Sequence, residues 1–311
     1  MTPSSAQHHH HHQPVPSSET KIELRDDREA NVLTVRVGPI NIPPRTDHAT
    51  VRVPLLAVPF DGWFVAYQPR LVDENGATMP GRVLHHVELL NTARPNFICP
   101  QLEELMFAAG AELSDWPALP GVGYPVAKGT PIRIVPMLTN PTDQPISNAY
   151  LALRIPYRLS GGMQLKNIYP AWFMVTHCGP TMYDLRLGTN VTTSEFTVPY
   201  SGKLLGVGGH IHDYGRELRL ESLTRNEQIT ALKTVLDSEG RFLSIPTIVF
   251  PQPRGYRLDS GDTVKVTAVY DNPSGRLLQK AAMGIVIGYF LPDKDEELAI
   301  LRRDPRIRWR R

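Results

Sequence analysis

Cysteine is nearly absent from this chain: two residues, Cys99 and Cys178, in 311. That excludes a disulfide-stapled framework and leaves either one bridge or two free thiols. Long apolar runs are missing as well. No segment has the roughly 20 consecutive apolar residues that a membrane-spanning helix needs, and the N-terminus lacks the apolar centre of a signal peptide. Charge of one sign is not in excess, with 33 Lys and Arg against 31 Asp and Glu. A protein built to hold nucleic acid concentrates basic charge on one face, so nucleic acid is not expected as the partner. The one basic cluster, Arg302 to Arg311, reads as a solvated tail. Helical periodicity is also scarce. Only Gln101 to Ala109, with Leu102, Leu105 and Met106 at helical spacing, predicts a short helix.

What the sequence has instead is alternation and punctuation. Val32–Val37, Ala49–Val53, Trp63–Tyr67 and Val83–Leu90 alternate with period two or run apolar. So do Ile132–Leu138, Ala149–Ile155, Trp172–Val175, Ile229–Leu236, Thr263–Tyr270 and Met283–Phe290. The 29 Pro and 23 Gly fall between such runs, as turns between short strands require. Leu119 to Pro125 reads as a turn-rich loop. Ile132–Leu138 and Ala149–Ile155 read as a strand pair joined by the polar turn Asn140 to Pro145. Many short strands with almost no helix predict an all-β protein of two tandem antiparallel β-sandwiches of jelly-roll type. The boundary falls at Ser160-Gly161-Gly162, giving sandwiches over 26–159 and 160–295, a disordered His-rich tail over 1–25 and a basic tail over 296–311.

Histidines carry the chemical signal. Outside the run His8 to His12, which reads as an expression tag or low-complexity tract, six remain: His48, His85, His86, His177, His210 and His212. Four of these form two tight pairs, one in each half. His210 and His212 lie two apart in a strand-like stretch and so share a face, as a two-point metal grip requires. Gly206 and Gly208 would leave that face uncrowded, and Leu205, Val207 and Ile211 would turn to the core. Adjacent His85 and His86 would point to opposite faces of a regular strand. To share a metal they need a twist, a bulge, or coordination through the nearer ring nitrogen. Thioethers suit Cu(I), which brings in Met283. Asp213 and Tyr214 stand next to the second pair, where they could orient a ligand ring. His177 is expected to be a satisfied histidine outside any site.

Four segments, in order, resemble the copper type II ascorbate-dependent monooxygenases. Trp63 to Arg70 followed by Leu84 to Leu90 is similar to the strand pair carrying that family's His-His. Gly121 to Tyr124 with Met137 to Pro141 resembles the stretch ending in the third histidine of the same copper. His210-Ile211-His212 resembles the His-x-His of the oxygen-activating copper, and Tyr256 to Thr263 followed by Met283 to Ile285 resembles the segment ending in its methionine. The resemblance covers about residues 31 to 292.

It implies two copper ions at separate sites. His210, His212 and Met283 would bind the oxygen-activating copper, and His85, His86 and Met137 the electron-delivering one. An external reductant such as ascorbate would serve both, O2 and a small molecule or small peptide would be the substrates, and the setting would be extracytoplasmic. The chain departs from the pattern in four ways. Met137 replaces the third histidine, Gly208 a carboxylate-binding arginine and Ile287 a tyrosine, and the family's disulfides are missing. The resemblance therefore implies hydroxylation of a C–H bond on something other than a peptidylglycine. Two other readings compete with it. One is a copper protein on the same scaffold without turnover. The other is a cupin-like iron or manganese oxygenase, in which Glu217 would follow His210-x-His212 at the cupin spacing.

Overall fold

In a computed structural model the chain is all β, and residues 20–110, 116 and 118–302 are described. The His8–His12 run and Arg303 onward lie outside the described residues. Two antiparallel sandwiches follow one another along the chain. One sheet of the first runs Lys21–Asp27, Val32–Ile42, Ile146–Leu159, Gly62–Phe64, Val122–Val126, Lys166–Asn167, with Gln68–Val72 also on Ile146–Leu159. Facing it are Thr46–Thr50, Pro131–Asn140, Leu84–Pro95 and Glu103–Gly110, with Leu56–Ala57 also on Pro131–Asn140. The second sandwich packs Tyr169–Met174, Gly284–Pro292, Gly202–Ile211 and Ile248–Val249, with Tyr256–Leu258 at the side, against Gly188–Thr197, Thr263–Asn272, Gly215–Ser222 and Glu227–Lys233. Among the described residues, Lys166–Asn167 on Val122–Val126 is the only parallel pairing, and the only one that crosses from one half to the other.

The strands form where the period-two pattern places them, because each has one face to bury. In Thr263–Asn272 the residues Val264, Val266, Ala268 and Tyr270 are fully buried, while Thr263, Lys265, Val269 and Asp271 are only partly covered. Each sandwich also closes a turn with the same device. Asn140 ends one strand and donates its amide to the carbonyls of Ile42, Pro43 and Gln144 while accepting from the Thr142 N–H. Asn272 ends the corresponding strand of the second sandwich. It donates to the carbonyls of Leu185, Arg186 and Arg276 and accepts from the Ser274 N–H.

Five local expectations change. Gln101 to Ala109 is not a helix: Glu103–Gly110 is a strand. It pairs with Leu84–Pro95 on one edge and is buried on both faces, and a strand covered on both faces loses the alternation that would identify it. Val122–Val126, expected as loop, is a strand for a related reason, being short and paired with Gly62–Phe64. Pro131–Asn140 and Ile146–Leu159 do not pair. The turn between them carries the chain from one sheet to the facing one. Finally, the N-terminal tail ends sooner than residue 25, since Lys21–Asp27 is a strand on Val32–Ile42. At the other end, the short helix Asp295–Ala299 straddles the expected 295/296 boundary.

The two sandwiches are packed as one body, with one continuous apolar core through both. Phe97 meets Phe290 at 5.0 Å between ring centroids and Trp116 meets Tyr289 at 4.7 Å. Cys99 and Cys178 form a disulfide across the junction, which settles the choice the sequence left open. Arg94, ion-paired with buried Glu104, donates to the carbonyls of Leu298 and Ala299 and so ties the C-terminal helix to the first sandwich. On the other flank Arg82 donates to the Phe242 carbonyl.

Candidate metal centre

Five histidines converge at this junction, three from the first sandwich and two from the second. Each arrives by a local deviation or parity of its strand. On Leu84–Pro95, His86 lies opposite Met137 but Leu84 lies opposite Leu138, so His85 is an extra residue in the ladder. A β-bulge of this kind re-aims a side chain. It turns both neighbouring rings to one side, with Nδ1 to Nδ1 at 3.0 Å. His48 sits in a second irregularity. Thr50 and Ala49 pair with Met137 and Leu138, and Thr46 with Asn140, which leaves two residues of the outer strand against one of the inner. His48 itself has φ of 52°, a conformation that a non-glycine residue adopts at a cost. His210 and His212 need no such device. Strand parity sends them the same way, and their Nε2 atoms lie 3.2 Å apart.

The donor atoms fall into two groups, His48–His85–His212 and His85–His86–His210, each with all its atoms within 4.8 Å of one another. The rings crowd accordingly. Centroid separations are 4.7 Å for His48–His85, 5.0 Å for His85–His212, 5.3 Å for His86–His210 and 5.6 Å for His48–His212. Within the second group the 3.0 Å His85–His86 nitrogen pair is close to the roughly 3.3 Å edge of a tetrahedron built on metal–nitrogen bonds of about 2.05 Å.

This geometry corrects the expectation of two separate sites. His85–His86 and His210–His212 belong to one cluster, because the sandwiches meet face to face where both pairs emerge. His48, which no local pattern singled out from the other lone histidines, belongs to it too.

Burial sets the protonation of the cluster. It holds His85, His86 and His212 well below the usual imidazole pKa, and neighbouring imidazoles push the same way. Near neutral pH these three rings are therefore neutral and keep a lone pair for a metal. Neither group includes a carboxylate. An all-imidazole set suits copper, zinc, nickel or iron better than calcium or magnesium, which prefer oxygen.

The two methionines stand differently. Met283 lines a small pocket with His86 and His210 and is 4% exposed. It precedes Gly284, which pairs with Ile211, so it continues the face that bears the two histidines. Met137 lies directly across from His86 and is also buried, so it shares that residue's face without lining the pocket.

The pocket has apolar walls from Leu105, Trp172, Ile285 and Ile287, and one acidic residue, Glu88, in its lining. Its interior of about 30 Å³ has room for about two water-sized molecules.

The expected supporting residues are replaced by others. The Asp213 carboxylate accepts the Phe242 N–H at 2.7 Å, and burial raises its pKa. Tyr214, at φ of 67°, hydrogen-bonds through its backbone to Gly240 and Asp271. Both therefore shape the turn after the histidines instead of orienting a ring.

Tyr270 takes the orienting role. Its hydroxyl accepts from the N–H of His212 at 3.0 Å and of Met283 at 2.9 Å, and donates to the Met283 carbonyl. The Ala281 carbonyl, 3.2 Å from Nδ1 of His212, accepts a hydrogen bond from Nδ1–H and so leaves the ring's lone pair on Nε2. Tyr270 was visible in sequence only as the last apolar residue of a strand.

Two further residues lie outside the cluster. His177 stacks on Phe196 and contacts the Ser194 hydroxyl at 2.9 Å. Glu217, the residue a cupin would use, is in an ion pair with Arg219 at 2.9 Å and in neither donor group.

No family model matches the chain, and no curated protein matches it. Among solved structures it is similar to PNGF-II at a TM-score of 0.37 and 9% identity, over 89% of this chain and 63% of that one. It is similar to a chain of Broad bean stain virus at 0.34 and 9%, over 88% and 91%. For a chain of the infectious bursal disease virus Gx strain the values are 0.24 and 10%, over 93% and 75%. The fold described above rests on its strand pairing and the site on its side chains, not on these likenesses.

Proposed function

We propose that the chain is a copper-dependent oxidoreductase that uses O2 to hydroxylate a C–H bond of a small substrate, with its centre at the junction of the two sandwiches. The observation that carries this reading is the gathering of five imidazoles in two donor groups at one junction, with Met283 lining a pocket beside His86 and His210. Neutral nitrogens with a soft sulfur are a donor set that accommodates both Cu(II) and Cu(I), so the residues fit the metal. Copper bound there would supply one-electron chemistry toward O2.

The protein does the rest. His85, His86 and His210, with Met283, would hold the metal. Tyr270 and the Ala281 carbonyl fix His212 and Met283. Trp172, Leu105, Ile285 and Ile287 keep bulk water out and lower the local dielectric. The pocket admits a molecule the size of O2, so an organic substrate would meet the centre from outside it.

That small volume also supports a second reading, in which the protein holds copper without turning over a substrate. Ascorbate-driven O2 uptake by the copper-loaded protein separates the two. Uptake that requires copper and is lost in His210→Ala and Met283→Ala supports the oxidoreductase. Copper bound at the centre with no uptake supports the holding protein. Failure to bind copper at all, or binding unchanged in both variants, overturns both.

A further inference from the structure

The two donor groups share one residue, and the sharing points to a second metal position. We propose that His48, His85 and His212 bind a second late first-row cation, with Cu(II) as the probe, joined to the first position through the His85 ring. The proposal rests on the reading above for the first position, His85–His86–His210 with Met283.

Four observations support it. The His48–His85–His212 nitrogens all lie within 4.8 Å of one another, close enough to converge on one ion. His85 directs Nδ1 at His86, 3.0 Å away, which leaves Nε2 on another edge of the same ring for a different partner. The His48 ring lies 4.7 Å from that of His85 and 5.6 Å from that of His212, nearly parallel to the latter. Both neighbours of the central strand Pro131–Asn140 carry an extra residue at this level, His85 on one side and one of two residues including His48 on the other. Two ladder irregularities flanking one strand bring both rings to the same end of the sandwich.

A neutral imidazole has one lone pair and one N–H. Binding cations at both nitrogens of His85 therefore releases its ring proton to solvent, as metal binding to a protonated ligand does. The bridge makes the two positions electronically coupled. It also makes each set cross the junction, with His48 and His85 from one sandwich and His212 from the other.

The test is Cu(II) titration of the full chain with His8 to His12 replaced by glutamine, followed by metal content and electron paramagnetic resonance. The expected result is two coppers per chain, with the signal of the first diminished by coupling when the second binds. His48→Asn, chosen because asparagine tolerates positive φ, should bind one copper with a full, uncoupled signal. His177→Asn, outside the cluster, should still bind two. One copper in the parent, two in His48→Asn, or two uncoupled signals would each overturn the second position while leaving the first standing. No bound copper in the parent would overturn both.

Discussion

A single phenol oxygen, that of Tyr270, meets the backbone at two positions proposed to carry metal ligands, His212 and Met283. Removing it leaves buried backbone groups unpaired and lets both ligands shift. Supporting groups of this kind commonly carry about 10–100-fold in metal affinity. Tyr270→Phe should therefore keep the copper count and weaken affinity by about that factor in competition with a chelator; an unchanged affinity would remove Tyr270 from the account.

Protonation gives a second prediction at this scale. Burial lowers the folded-state pKa of His85, His86 and His212 below 6.5, the ordinary value that the unfolded chain would show. The unfolded state therefore binds more protons as pH falls through 6.5, and stability falls with it. Each depressed histidine can contribute a slope of up to about 1.4 kcal/mol per pH unit. The metal-free chain with His8 to His12 replaced should lose stability to denaturant between pH 7 and 5.5. His86→Gln should reduce that slope, and a flat profile in the parent would show that the rings are already solvated or charged in the folded state.

At the scale of elements, the paired asparagine turns make an internal comparison possible. Asn140 and Asn272 are fully buried, and each amide serves three carbonyls. Leaving such carbonyls unsatisfied costs about 1–3 kcal/mol. Asn140→Ala and Asn272→Ala should each destabilise by that order in chemical denaturation, and by similar amounts. A neutral effect at either would mean that turn is held by its other bonds.

The same scale explains what was legible in the sequence. Alternation reveals a strand when one face is wet, as in Thr263–Asn272, so the sandwich architecture could be read directly. It fails for Glu103–Gly110, which is buried on both faces. Strand parity brought His210 and His212 to one face as expected, because that stretch stays nearly regular up to its end, and Met283 reaches the same face from the neighbouring strand. The bulge at His85 and the irregularity at His48 are properties of the pairing with Pro131–Asn140, and no local pattern announces them. Asp213 and Tyr214 were attractive through adjacency alone, whereas Tyr270 reaches the site from 58 residues away from His212.

Over the whole molecule, the centre exists only because two sandwiches are held face to face, and two kinds of link could hold them. One is covalent: Cys99–Cys178 closes a loop of 79 residues, which chain-entropy arguments value at about 4–5 kcal/mol against the unfolded state. The other is the apolar core that runs unbroken from one sandwich into the other, with Phe97 on Phe290 and Trp116 on Tyr289. These act on different quantities. A crosslink mainly limits the unfolded chain, whereas packing fixes where the folded strands end and so where the five rings stand. If packing positions the cluster, the double variant Cys99→Ser, Cys178→Ser should unfold at lower denaturant concentration, by about 2–5 kcal/mol, yet bind copper in the same ratio and within a few-fold of the parent affinity. Copper should also raise its stability, by about 2.7 kcal/mol when free copper stands at 100 times the dissociation constant, since ligands from both sandwiches close on the metal only in the folded state. Denaturant titration of the variant with and without copper measures both effects. Loss of copper binding in a variant that remains folded would instead make the disulfide the element that sets the geometry of the centre.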